Sequence, residues 1–69
     1  HMTPEETAEL HAAAALRLRT RADMLNYESD CEQYDMLFDE NYQNMLTSEA
    51  LSAERAFNEL CFRFHLPTP

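Results

Sequence analysis

The sequence predicts an all-α fold, an antiparallel hairpin of two long amphipathic helices, and three observations carry that expectation. The first is its alphabet: the 69 residues contain no Gly, Val, Ile, Lys or Trp, whereas Ala, Leu and Glu occur nine times each. Those three favour helix, and a sheet would want the β-branched residues and turn glycines that are scarce or missing here. The second is continuity, since no Pro or Gly interrupts the 62 residues from Glu5 to Leu66. The third is period, because apolar residues recur at spacings of three and four in both halves of the chain. The same alphabet excludes functions as well as folds. Phosphate-cradling loops and dinucleotide turns need glycine, so a nucleotide-dependent enzyme is not expected.

The first helix is expected to start at Pro4. Thr3 stands where a cap is needed, Pro4 suits the first helical position, and Glu6 completes a Ser/Thr-x-x-Glu capping box. His1-Met2 reads as a cloning scar, and Pro4, Glu5, Glu6 and Glu9 leave no apolar secretory core behind it. At the other end Leu66-Pro67 stops the last helix, because a proline pushes the preceding residue out of helical geometry, and residues 67–69 form a non-helical tail. One helix over the whole interval would be a rod of roughly 90 Å with no core of its own. The chain therefore folds back, as a single domain spanning residues 1–69.

Two places suit the turn. Ser29-Asp30-Cys31-Glu32 is a second capping box and puts it near 29–30. Ala13, Leu16, Thr20, Met24, Tyr27, Cys31, Tyr34 and Phe38 keep helical spacing beyond that point, which puts it near Asp39-Glu40-Asn41 instead. The C-terminal half has the cleaner stripe, Tyr42, Leu46, Ala50, Ala53, Phe57, Leu60 and Phe64, with Ala50, Ala53 and Ala56 small enough for another helix to approach closely. Met45, Leu51, Phe62 and Leu66 are apolar but lie off that stripe. Two helices cannot cover two faces of each other.

Thirteen acids against five arginines give a net charge of -8, a field that opposes binding to a phosphate backbone. Arg17, Arg19 and Arg21 sit together, whereas Glu28 to Glu40 carries six acids and no base and reads as a solvated acidic surface. No run approaches the roughly 18 apolar residues of a membrane span. Cys31 and Cys61 are too few for a disulfide framework and read as small buried apolar residues. Cys61 and His65, four apart, would share a helical face, but two ligands do not make a zinc site and nothing ties Cys31 and His11 to them. No metal or cofactor is expected. Catalysis is not expected either, because carboxylate pairs arise by chance on so acidic a chain and a hairpin has no pocket to exclude water.

Size turns these observations toward a partner. For a domain below about 70 residues, apolar burial and lost conformational entropy nearly cancel. With no disulfide, metal or cofactor to add stability, the remaining remedy is another chain, and the surplus apolar residues Met24, Met36, Met45 and Phe62 read as an interface. The final helix supplies anchors at helical spacing, so the partner-binding candidates are Phe57, Leu60, Cys61, Phe62 and Phe64. The competing expectations are a self-associating bundle that serves as an assembly part and an acidic regulator that mimics nucleic acid.

The stretch Glu49-Ala50-Leu51 through Ala53-Glu54-Arg55-Ala56-Phe57-Asn58-Glu59-Leu60-Cys61-Phe62-Arg63-Phe64-His65 resembles the closing helix of small type III secretion co-chaperones of the SsaE kind. Phe62-Arg63-Phe64-His65 is similar to that group's aromatic-rich ending, Leu16-Arg17-Leu18-Arg19 and Met24-Leu25 to its first helix, and Cys31-Glu32-Gln33-Tyr34 to the second-helix start of the related YscE/PscE proteins. The chain departs from the pattern in having no turn glycine and in placing Glu-Gln-Tyr several residues farther from the C-terminus. The resemblance implies a helical hairpin in the bacterial cytoplasm. It would pair with a tetratricopeptide-like partner of the YscG/SsaH kind and so keep the needle subunit soluble and monomeric before export.

Overall fold

The computed structural model describes residues 1–68 and contains two helices, α1 (Pro4–Gln33) and α2 (Glu40–Arg63), packed side by side. Pairing across the seam runs Glu9 with Arg63, Arg17 with Glu54, Met24 with Gln43 and Tyr27 with Tyr42, so the helices are antiparallel. The molecule measures 49 × 17 × 17 Å, about one helix long and two helices wide. Helix α2 ends at Arg63, short of the stop at Leu66-Pro67 that the sequence suggests; residues 66–68 are non-helical, and Pro69 lies outside the described residues.

Helix α1 begins as its capping box dictates. The Glu6 N–H donates to Thr3 Oγ1 at 3.1 Å and the Thr3 N–H donates to Glu6 Oε1 at 2.8 Å, with Pro4 in the first turn. The turn occupies residues 34–39. It abuts the 39–41 site and excludes the 29–30 site, since Ser29 to Gln33 continue α1. Ser29 does not cap; its hydroxyl donates to the Asn26 carbonyl at 3.1 Å within the helix, a bond open to any helical serine. Helix α2 is instead capped by Asp39, whose Oδ1 accepts from the N–H groups of Asn41 at 2.9 Å and Tyr42 at 3.3 Å.

Both helices end in the same way, without glycine. The Met36 N–H donates to the Cys31 carbonyl at 2.8 Å and the Asp35 N–H to that of Glu32 at 3.4 Å. At the end of α2 the Leu66 N–H donates to the Cys61 carbonyl at 2.8 Å and the His65 N–H to that of Phe62 at 3.2 Å. This is the Schellman arrangement, which needs a left-handed residue just past the helix. Asp35 (φ 52°) and His65 (φ 58°) fill that role, and Asp and His are among the side chains that tolerate it best.

The core is a thin strip: Cys31 from α1 and Leu46, Ala50, Ala53, Leu60 and Cys61 from α2, with Thr20 buried among them. The Thr20 hydroxyl is satisfied inside its own helix by the carbonyls of Leu16 at 2.8 Å and Arg17 at 3.2 Å. No large side chain among the described residues is fully enclosed. The α2 stripe expected from the sequence holds from Leu46 to Leu60, with Phe57 and Phe64 half-buried at its edges and Tyr42, at its start, exposed but edge-on to Tyr27. The α1 stripe fails at three points: Arg17 faces α2 while Leu16 stands exposed on the flank, and Tyr34 and Phe38, expected to continue the stripe, lie beyond the helix end and are exposed.

Candidate interaction surfaces

The two helices leave open grooves along their seam. A groove of about 630 Å³ runs along one side of the seam between Leu16, Thr20, Met45 and Ala53, and one of about 280 Å³ along the other between Met24, Leu25, Ala50 and Leu51. They exist because Thr20, Ala50 and Ala53 make a narrow waist that the longer side chains on either side overhang. Among the described residues no three His, Cys, Asp or Glu side chains are grouped to hold a metal ion. Cys61 is buried, and His65 lies past the end of α2 in the left-handed residue, so the two do not share a helical face. No helix among the described residues is long and apolar enough to cross a membrane.

The five partner-binding candidates divide three ways. Leu60 and Cys61 point at α1 and are buried within the hairpin, so a partner reaches them only by opening it. Phe57 and Phe64 are half-buried, each beneath an arginine: the Arg17 guanidinium lies 5.1 Å from the Phe57 ring centre and that of Arg63 5.7 Å from Phe64. Phe62 is free, with 81% of its surface exposed. It does not stand alone. Leu51 is eleven residues earlier, three turns back on the same face of α2, and Leu51 shares its groove with Leu25 of α1, which in turn lies two turns from Leu18. Leu18, Leu25, Leu51 and Phe62 are all exposed and form a broken apolar row down one side of the hairpin.

A second exposed apolar group sits at the turn. Tyr34, Met36 and Leu37 project from it, and Leu37 is 95% exposed. The loop is nevertheless held on both sides: the Asp39 N–H donates to the Tyr27 hydroxyl at 3.0 Å, and the Tyr27 ring packs against Phe38 (5.3 Å between centres) and edge-on against Tyr42 (5.0 Å).

Charge separates the two ends. Arg17 makes two hydrogen bonds to Glu54, one from Nε to Oε2 and one from Nη2 to Oε1 at 3.2 Å. The bond from Arg17 holds the Glu54 carboxyl below its ordinary value, aided by the charges of Arg17 and Arg21 and opposed by desolvation. Side-chain exposures of 18% for Arg17 and 36% for Glu54 leave the pair partly screened by water. Arg63 reaches Glu9 at 3.7 Å on the surface. The acids around the turn have no such partner among the described residues; the arginine cluster and the acidic run do not meet across the hairpin, because the register puts Arg17 opposite Glu54.

Sequence reasoning missed Arg17 as a core-facing residue and Leu37 as the most exposed apolar side chain. For Arg17 the signal was a stripe in which Leu16 fits equally well; only the register of α2 chooses between them. For Leu37 a signal was legible, an apolar triplet Met36-Leu37-Phe38 enclosed by acids, but its meaning depended on where α1 stops. The geometry defines a two-helix hairpin that presents apolar side chains on one flank and at its turn. Comparison of the chain with family models, with curated proteins and with solved structures yields no match.

Proposed function

We propose that this chain is a small co-chaperone of a bacterial type III secretion system, working in the cytoplasm. It packs against a larger tetratricopeptide-like partner of the YscG/SsaH kind, and the pair keeps the needle subunit soluble and monomeric before export. The observation that carries the reading is the row Leu18, Leu25, Leu51 and Phe62, exposed apolar area that two helices cannot cover for each other, ending inside the stretch that resembles the family's closing helix. Such a row suits a concave helical surface, which would bury alternate turns of both helices at once. The chemistry is burial, with Phe62 as the aromatic anchor.

Mixing the chain with a YscG-type protein and weighing the product by light scattering tests this. A stoichiometric complex that gains the needle subunit when it is added is expected, and Phe62→Glu should weaken it by at least about tenfold with helix content unchanged. Failure of every tetratricopeptide-like secretion chaperone to bind, with the chain folded, refutes the reading. A self-associating bundle is the second reading, favoured because the row lies mostly in the half of the hairpin whose charges nearly balance. A discrete homodimer or tetramer broken by Phe62→Glu would establish it.

A further inference from the structure

We propose that the turn is a second docking surface, which packs Leu37 against the apolar face of a basic amphipathic helix on a partner protein. The surface lies at the opposite end of the hairpin from Phe62, and the proposal stands independently of the co-chaperone reading.

An almost fully exposed leucine on a loose loop would mean little. Here the backbone under it is held: on one side by the Met36 N–H bond to the Cys31 carbonyl at 2.8 Å, on the other by Asp39, whose N–H donates to Tyr27 at 3.0 Å while its carboxylate caps α2. Leu37 itself, 95% exposed, makes no contribution to the core, and Tyr34 and Met36 beside it are exposed as well. An apolar knob on a backbone that is already ordered binds without the entropy loss of ordering a loop. The fold gains nothing from this arrangement, and a partner would.

Charge names the partner's chemistry. Residues 22–48 carry seven acids and no base, and among the described residues none of those acids has an ion-pair partner. Two copies meeting tip to tip would bring these charges together, so a second copy is disfavoured. A basic rim is attracted, and an apolar centre with a charged rim is the usual anatomy of a specific interface. Phosphate backbones and anionic membranes are repelled by the same field.

The experiment uses the full chain, a synthetic basic peptide with Leu and Arg at amphipathic helical spacing, and the same peptide with Ser in place of Leu. Amide shifts followed by NMR should concentrate in residues 34–42. Affinity should fall by about tenfold or more with Leu37→Ser, and by as much with the Leu-free peptide. It should stay unchanged with Phe62→Ser, and it should weaken between about 0.05 and 0.5 M salt as screening shortens. Circular dichroism checks that Leu37→Ser folds, which its exposure predicts. Shifts spread along Leu25 and Leu51 with no loss on Leu37→Ser would overturn the proposal. So would equal affinity for the Leu-free peptide, which reduces the effect to charge, and so would a wild-type dimer that Leu37→Ser dissolves.

Discussion

The turn half of the hairpin, residues 22–48, carries seven acids and no base, whereas the rest of the chain carries six acids and five arginines. Nearly all of the net charge of -8 therefore sits at one end of a molecule 49 Å long. The open half has two ion pairs across the seam, the part-buried Arg17 with Glu54 and the exposed Arg63 with Glu9. The turn half has no ion pair among the described residues and is held by aromatic contacts, a carboxylate cap and the Tyr27 hydroxyl. Two halves of one hairpin are thus closed by different physics: paired charge with arginine over aromatic rings at one end, hydrogen bonds and stacked rings at the other. The lesson concerns surfaces. Where charges are paired the apolar row lies in a nearly neutral field, and where they are not the apolar tip lies in an acidic one, so the two exposed apolar surfaces differ in electrostatic setting.

The largest effect with which to probe this comparison is core truncation in each half. Leu46, 7% exposed, lies toward the turn and Leu60, 6% exposed, toward the open end. Leu46→Ala and Leu60→Ala should each cost about 2–4 kcal/mol, read from urea unfolding followed by helical signal. Equal costs mean that the two halves unfold as one unit. A much smaller cost for Leu46→Ala would mean that charge repulsion already loosens the turn half.

A smaller effect compares the two left-handed residues. Asp35→Gly and His65→Gly both relieve a Cβ at positive φ, and each should raise stability by about 0.5–1 kcal/mol, visible as a higher thermal midpoint. Asp35→Gly should gain more, because it also removes one of seven unopposed charges. Equal gains would show that the acidic excess has little energetic weight.

The smallest effect is the pH response of the open half. Glu54 titrates below its ordinary value of 4.5 when folded, so its pairing with Arg17 contributes fully above that value and is lost as pH falls through the lower folded one. The stability difference between the wild-type chain and Glu54→Gln should therefore hold from neutral pH to about 5 and shrink below about 4. A gap that stays constant to pH 3 would mean that the contact does not depend on the carboxylate charge.

Much of this molecule was legible in its sequence because helix formation is local. The Thr3-Pro4-Glu6 start, the all-α fold and the stripe through Leu46, Ala50, Ala53 and Leu60 follow from propensity, capping and period, which act within a few residues. Tertiary structure decided the rest. The turn fell at 34–39 because α1 could run on through a capping box it had no need to use and then close on a left-handed Asp35, an energy balance that no local signal ranks. Arg17 faced inward because Glu54 and Phe57 lay opposite, and Leu60 and Cys61 turned to the core while Phe62 was left outside, because the register of one helix on the other selects which residues of a stripe are covered. Composition and spacing say that an apolar face must be buried; only the other helix of the hairpin, by its position, determines which part of it is buried and which stays exposed.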